Sequence, residues 1–204
     1  MVTKAEQKEK TRRAILDAAL KLLSADRSFS SLTLREVARE ANIAPTSFYR
    51  HFHELEDLGL ALVDESGLAL RQLLRQARKL ILAKGGVIRS SVETFMEYLE
   101  KNPNHFRLII REKAGGSQRY RAAIKSEVDH FISELENDLV LISRQQNKLI
   151  ANSRLVAEAC VTIVFNLGGQ ALDIPKNKRP ELAENIMLQL RMVMAGAQLL
   201  AGKK

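Results

Sequence analysis

The chain has 204 residues, of which 46% are hydrophobic and 27% are charged. This composition permits a sizeable buried core and is unlike that of a disordered chain. The formal net charge of +8 indicates a polyanionic partner such as nucleic acid, an acidic protein or a phosphate-bearing ligand. A single cysteine, Cys160, excludes both an internal disulfide framework and a cysteine-based zinc site.

The N-terminal stretch MVTKAEQKEKTRR has no apolar core of the kind found in signal peptides, and no apolar run approaches the length of a membrane span. We therefore expect a cytoplasmic protein without a membrane partner. Cys160 lies in the apolar run AEACVTIVFNL, where no neighbouring cation would stabilise a thiolate, so we expect a buried thiol.

The first 53 residues predict three helices. The first spans residues 4–24, and Thr33 followed by Glu36 forms a capping box that starts the second. Asn42 suits the left-handed turn that follows, and Pro45 suits the first position of the third helix. That helix, residues 45–52, is too short to be stable alone, so Phe48 and Phe52 must anchor it to its neighbours.

The remaining residues predict six longer helices, at 54–83, 87–101, 104–113, 118–145, 153–172 and 181–200, with Pro180 as the start signal of the last. Gly85, Gly86, Gly115 and Gly116 separate some of them. The predicted fold is all-α: a three-helix head, residues 1–53, on a larger helical body, residues 54–204.

The second and third helices have the proportions of a helix-turn-helix, in which the later helix enters the DNA major groove. With two phenylalanines facing inward, the polar side chains of the third helix remain on its outer or lateral surface. These are Thr46, Ser47, Tyr49, Arg50 and His51. Hydroxyl, phenol and guanidinium groups can contact phosphates or base edges. A solvated helix without a partner is the alternative.

The stretch LTLREVAREANIAPTSFYRHFHELEDLGLALV resembles the DNA-binding head of the TetR family of bacterial repressors. The resemblance implies that Pro45 opens the recognition helix, that Thr46 and Ser47 face the groove, and that Tyr49 and His51 contact phosphates. Arg35 would also touch the DNA backbone.

The chain departs from the family pattern at three positions. Asn42 and Ala44 stand where Gly and Ser are frequent, so the recognition helix lacks a side-chain N-cap. Leu55 stands where a phosphate-binding Lys is frequent, and the candidates to replace that contact are His53, Lys8, Lys10, Arg12 and Arg13.

The stretches SLTLREVAREANIAPTSFYRHF and GGVIRSSVETFMEYLEKNPNHFRLIIREKAGGS resemble a narrower group of this family, which represses fatty-acid biosynthesis genes. That resemblance implies control of unsaturated fatty-acid synthesis. The implied effector is a long-chain acyl thioester, carried by coenzyme A or by an acyl carrier protein. No cofactor is implied.

Repressors of this kind bind palindromic operators as two-fold dimers. The segments LVAEACVTIVFNLGGQAL and ELAENIMLQLRMVMAGAQLLAG are apolar around much of their circumference and predict a four-helix homodimer interface. The alternative is a helix pair that is buried within one subunit.

An acyl effector needs an apolar cavity with polar groups at its mouth. The predicted lining residues are Phe95, Met96, Leu99, Phe106, Ile110, Phe131 and Phe165, each of which is alternatively plain core. The basic stretch FRLIIREKAGGSQRYRAAIK, which contains Arg107 and Arg111, predicts the mouth, and its alternative is a solvated basic face.

Three other functions remain open from the residues alone. An enzyme is disfavoured, because the four histidines form no metal-ligand pattern and no nucleophile elbow or phosphate-binding loop occurs. A repressor of the same fold could respond to another hydrophobic molecule such as a drug, although few aromatic residues are present to hold a cation. A nonspecific DNA-binding protein would show a steep salt dependence without sequence preference.

Overall fold

The computed structural model describes residues 3–24, 26–81, 86–115 and 117–202. Within these residues the chain is helical without a strand, apart from an isolated bridge between Ser24 and Arg27. The helices are α1 Lys4–Leu22, α2 Leu34–Glu40, α3 Pro45–Phe48, α4 Leu55–Ile81, α5 Val87–Lys101, α6 Pro103–Gly115, α7 Gln118–Gln146, α8 Ser153–Ala171 and α9 Arg179–Ala201. Short 3-10 helices occupy Phe29–Ser31 and Lys176–Lys178. The all-α prediction is confirmed.

The signals around the helix-turn-helix act as predicted. The Glu36 amide donates to the Thr33 hydroxyl over 3.3 Å, and the Thr33 amide donates to the Glu36 carboxylate over 2.9 Å, so the capping box is complete. Asn42 adopts a left-handed backbone with φ of 54°. Pro45 opens α3, and Ala44 supplies no side-chain cap.

The predicted end of the recognition helix is wrong. Regular α-helix stops at Phe48 instead of Phe52, because the Arg50 amide donates to Ser47 and the His51 amide donates to Phe48, three residues back instead of four. These bonds tighten the backbone into turns. The Phe52 amide still donates to the Phe48 carbonyl over 3.1 Å, which keeps both rings together.

The helices of the body lie within three residues of their predicted bounds, and Pro180 stands in the first turn of α9. The predicted end of α4 at residue 83 and the predicted breaks at residues 85 and 116 lie outside the described residues.

The chain forms two compact units. The N-terminal unit comprises Met1–Ser66 and Asn104–Ile124, and the C-terminal unit comprises Gly67–Pro103 and Lys125–Lys204. The helices α4 and α7 therefore contribute residues to both units. The compact N-terminal unit extends beyond residue 53, whereas the functional division at that residue stays a prediction.

The core of the N-terminal unit joins the helix-turn-helix helices to parts of α4, α6 and α7, through buried side chains such as Ile15, Leu16, Val37, Phe48, Leu58, Leu62, Phe106 and Ile124. Glu112 is 1% exposed and accepts from the Phe29 amide over 3.1 Å and the Ser30 amide over 3.4 Å. Its carboxylate thus bonds the first amides of the 3-10 helix, which Ser28 leaves uncapped.

In the C-terminal unit, α8 and α9 pack against each other and α5 packs on both. Arg71 and Glu127 form a buried ion pair, and the Arg71 guanidinium lies 5.9 Å from the centre of the Phe131 ring. None of the described helices is long and apolar enough to span a membrane.

Candidate DNA-binding surface and ligand cavity

The recognition segment, residues 45–52, is held from beneath by its two phenylalanines. Phe48 and Phe52 are buried with ring centres 5.7 Å apart. The Arg12 guanidinium of α1 lies 5.1 Å from the centre of the Phe52 ring and also pairs with Glu65 over 3.3 Å. The segment is therefore fixed by packing, since four residues of helix are too few to persist alone.

The opposite surface of this segment carries the predicted DNA contacts. Pro45, Thr46, Tyr49 and Arg50 are exposed, with Tyr49 at 59%, and Ser47 is half-buried. Arg35 is exposed near the start of α2. An aromatic ring so exposed beside hydroxyl and guanidinium groups is the arrangement expected of a surface that contacts base edges and phosphates.

His51 lies at the edge of this surface in a partly buried position. Burial, together with the nearby charges of Lys8 and Arg12, lowers its pKa below the usual 6.5. Its Nδ1 atom is buried without a hydrogen-bond partner among the described residues. At neutral pH the side chain is therefore an uncharged imidazole in a basic environment.

The N-terminal cations that were candidates for an additional phosphate contact differ in their partners. Arg13 pairs with Asp17 over 2.8 Å and with Glu65 over 2.9 Å, so its charge, like that of Arg12, is partly neutralised. Lys8 and Lys10 are exposed on α1. The lysines are therefore the better placed of these candidates.

The C-terminal unit contains a cavity of about 460 Å³ among α4, α5, α7, α8 and α9. Its volume falls in the range of about 300–1,000 Å³ that is usual for small-molecule sites. Its interior is formed by aliphatic and aromatic side chains, including Leu74, Val92, Phe95, Phe131, Leu135, Leu139, Val161, Val164, Phe165, Leu190 and Met194. Such a lining favours a predominantly apolar ligand.

The predicted ligand residues fall into three groups. Phe95, Phe131 and Phe165 line the cavity, and Phe131 and Phe165 stack edge to face at 5.3 Å. Met96 and Leu99 lie on α5 but are not lining residues, and Leu99 is buried core.

The third group, Phe106, Arg107, Ile110 and Arg111, lies on α6 in the N-terminal unit and contributes nothing to this cavity. Phe106 is completely buried there. Arg107 donates to Asn104 over 3.2 Å.

The basic stretch predicted to form the mouth is partly neutralised by acidic residues at the start of α4. Arg119 pairs with Glu54 over 2.8 Å, Glu56 over 2.7 Å and Asp57 over 3.2 Å. The single acidic residue of the basic stretch, Glu112, is buried in the N-terminal unit. The stretch therefore carries less free positive charge than its sequence indicates.

Cys160 is buried and lines the cavity, and burial raises its pKa to about 11. The expectation of a buried thiol is confirmed. Within the described residues no group of His, Cys, Asp and Glu side chains could hold a metal ion.

Sequence reasoning identified Phe131 on α7 but missed the other lining residues of α7 and all of those of α9. On α7, Phe131, Leu135, Leu139 and Ile142 lie at spacings of four, four and three, which places them on one helical face. That periodicity could have predicted the α7 lining residues. The two arginines of the lining, Arg89 and Arg191, belong to no sequence pattern from which their place in the cavity could have been predicted.

A three-helix head with an exposed recognition segment is the feature expected of a DNA-binding regulator of the helix-turn-helix class, and the chain adds a separate apolar cavity to it. Two family models match the chain: "Bacterial regulatory proteins, tetR family" over residues 15–62, and "Tetracyclin repressor-like, C-terminal domain" over residues 84–196. The chain belongs to the TetR family of transcriptional regulators. Members of this family bind DNA and act as dimers with small-molecule effectors.

Several solved structures share the fold. GusR of Salmonella enterica is 16% identical, with 95% of this chain and 98% of that chain covered and a TM-score of 0.74. The fatty acid degradation regulator FadR of Bacillus halodurans is 14% identical, with coverages of 91% and 95% and a TM-score of 0.72. The reduced form of E. coli NemR is 21% identical, with coverages of 90% and 97% and a TM-score of 0.67. At these identities the likeness shows the fold alone.

Proposed function

We propose that this chain is a homodimeric repressor of unsaturated fatty-acid biosynthesis genes that senses a long-chain acyl thioester of coenzyme A or acyl carrier protein. The choice of target genes comes from the resemblance of its sequence to the fatty-acid-biosynthesis repressor FabR. Residues 1–53 bind a palindromic operator in the cytoplasm, and residues 54–204 bind the effector and form the dimer.

The effector proposal rests on the types of side chain that line the cavity. Its volume of about 460 Å³ is lined mainly by aliphatic side chains and three phenylalanines. No Asp or Glu is among its described lining residues, whereas pockets for cationic drugs favour aromatic faces with carboxylates. A long apolar chain therefore matches the cavity better than a cationic drug does.

The exposed apolar surface of α9 supports the homodimer. Leu188, Met192 and Leu199 are each about half exposed or more, with Met192 at 61%. Their spacings of four and seven place them on one face of the helix. On α8, Leu155 is similarly exposed. A second copy of the chain would cover these side chains and bury apolar area that a single chain leaves in water.

At the operator, Thr46 and Ser47 face the groove, Tyr49 and His51 contact phosphates, and Arg50 reaches either. Arg35 contacts the backbone of the DNA from α2. The exposure of Arg35, Thr46, Tyr49 and Arg50 supports the roles proposed for these four residues.

The test is fluorescence anisotropy on a promoter fragment from an unsaturated fatty-acid synthesis gene, with a scrambled fragment as control. Saturated and unsaturated acyl-CoA are titrated in at fixed salt, because electrostatic affinity depends steeply on salt. We expect specific binding that changes differently with the two acyl chains.

Specific binding that is indifferent to both acyl chains would leave a TetR-family repressor with another hydrophobic effector. Equal affinity for the scrambled fragment would overturn the proposed target genes. The direction of the response, tightening or release, follows from which state of the protein binds the effector better.

A further inference from the structure

Among the described lining residues of the cavity, the charged side chains are both positive. Its polar and charged side chains are Arg89, Ser91, Gln146, Arg191 and Gln198. Arg89 pairs with Glu184 over 3.1 Å and with Glu93 over 3.4 Å, which neutralises its charge. Arg191 is exposed and makes no ion pair with any residue that the structure describes. Among the described lining residues, Arg191 is therefore the cation without an acidic partner.

Two ion pairs fix where this cation lies. Lys176, just before α9, pairs with Glu100 near the end of α5 over 2.9 Å, and Glu184 of α9 pairs with Arg89 near the start of α5 over 3.1 Å. The helices α5 and α9 are therefore antiparallel. Seven residues from Glu184 to Arg191 add about 10 Å along α9, at about 1.5 Å per residue. Because Arg89 already belongs to the first turn of α5, Arg191 lies beyond the start of that helix, on the side of Gly86, which lines the same cavity.

The start of α5 attracts negative charge, as Arg191 does. Gly86 and Val87 line the cavity, and Gly86 supplies no side-chain cap to the helix. The free amides at the start of a helix favour negative charge, as a guanidinium does. This end of the cavity is therefore suited to an anion, while the phenylalanines suit an apolar chain.

Ser91 adds a polar group farther along the same helix. It lines the cavity four residues after Val87, which places both on one face of α5. Its hydroxyl oxygen is buried without a hydrogen-bond partner among the described residues. A buried hydroxyl without a partner is costly, so a polar atom of a ligand at this position would stabilise the complex.

We propose that the cavity binds an amphiphile with one long apolar chain and an anionic group, and that the Arg191 guanidinium binds the anionic group. Ser91 donates a hydrogen bond to a polar atom of the ligand on the apolar side of that group. The inference rests on the proposed acyl effector but moves the binding site of its anionic group from residues 107–125 to α9. Fatty-acid carboxylates and coenzyme A phosphates share this chemistry.

The test measures binding of three ligands with the same chain to the full-length protein by calorimetry: palmitoleate, palmitoleoyl-CoA and the uncharged palmitoleyl alcohol. We expect Arg191→Gln to weaken binding of the anionic ligands about tenfold and to change the alcohol less than twofold, because a charge-assisted bond is lost. Arg191→Lys keeps most of the affinity. Arg144→Gln is the matched control, since Arg144 is an exposed arginine of α7 that does not line the cavity.

Loss of only the palmitoleoyl-CoA affinity would identify the phosphates as the bound anion, and loss of both would identify an anion close to the chain. Unchanged binding, or equal loss for the alcohol, would overturn the proposal. The rate of alkylation of Cys160, the single cysteine, shows whether the ligand lies in this cavity. We expect a bound ligand to slow the alkylation. An unchanged rate would place the ligand elsewhere and would also overturn the proposal. If ligand binding depends on Arg191 but does not change the affinity of the protein for its operator DNA, the proposed function is refuted and this inference stands.

Discussion

Gly59 of α4 lies against Tyr120, which stands in the first turn of α7, within the N-terminal unit. A Cβ atom built on Gly59 would lie 1.8 Å from the Tyr120 hydroxyl oxygen and 2.6 Å from Cε1 of Phe29. Both rings are buried and stack edge to face with centres 5.8 Å apart. Neither ring can move aside without disturbing the core, so Gly59→Ala forces a repacking.

The expected change in the free energy of unfolding is the sum of two opposed effects. Alanine in place of a helical glycine stabilises by about 1 kcal/mol. Overpacking a filled core costs about 1–3 kcal/mol. The net expectation is a loss of about 1 kcal/mol, which corresponds to a fall in Tm of roughly 2–4 °C for a chain of this size.

The assay is thermal unfolding followed by far-UV circular dichroism, on Gly59→Ala in the wild-type and Tyr120→Phe backgrounds. Tyr120→Phe removes the nearest clashing atom, so the cost of Gly59→Ala should shrink by about 1 kcal/mol in that background, as contacting residues couple by such amounts. A Gly59→Ala variant that melts at or above the wild-type Tm would refute the reasoning. An equal cost in both backgrounds would show that the hydroxyl is not the obstacle.

Three further predictions concern DNA binding and assembly. Arg50→Ala should weaken operator binding by about 1–3 kcal/mol without changing the fold, as measured by anisotropy and circular dichroism; an unchanged Kd would remove Arg50 from the interface. The pKa of His51 is lowered in the free protein, and a DNA phosphate would raise it, so binding takes up a proton and Kd should fall as pH falls from 7.5 to 6. His51→Gln should abolish that part of the pH dependence, and an identical slope in the variant would show that His51 is not the linked group. Met192→Glu places a carboxylate on the exposed face of α9 and should shift the dimer to monomer in light scattering, whereas Leu141→Glu, on the similarly exposed Leu141 of α7, should leave it dimeric. A dimeric Met192→Glu variant would place the interface on another surface.

The local features of the DNA-binding head could be predicted from a few neighbouring residues. The capping box at Thr33, the left-handed Asn42, the helix start at Pro45 and the inward Phe48 and Phe52 each depend on residues within a few positions. Local hydrogen bonds and helical spacing dictate these features, so they can be predicted from a short stretch. The family resemblance depends on the same residues.

Helical periodicity also located the body helices, but it says only which face of a helix is buried and not what covers it. Phe95 and Leu99 lie four apart on α5 and are both buried, yet only Phe95 lines the cavity. Arg107 and Arg111 were expected at the mouth because they lie in a basic stretch, and the fold places them in the other compact unit.

Which charges are neutralised depends on how the helices pack. Arg119 meets Glu54, and Glu112 bonds the Phe29 amide 83 residues away, whereas Arg191 reaches the cavity without an acidic partner among the described residues. Partners so far apart in the chain are brought together by packing, and no local pattern encodes their meeting. The interaction between two charges depends on their distance in space. The lack of an acidic partner for Arg191 can therefore be recognised only from the packed helices.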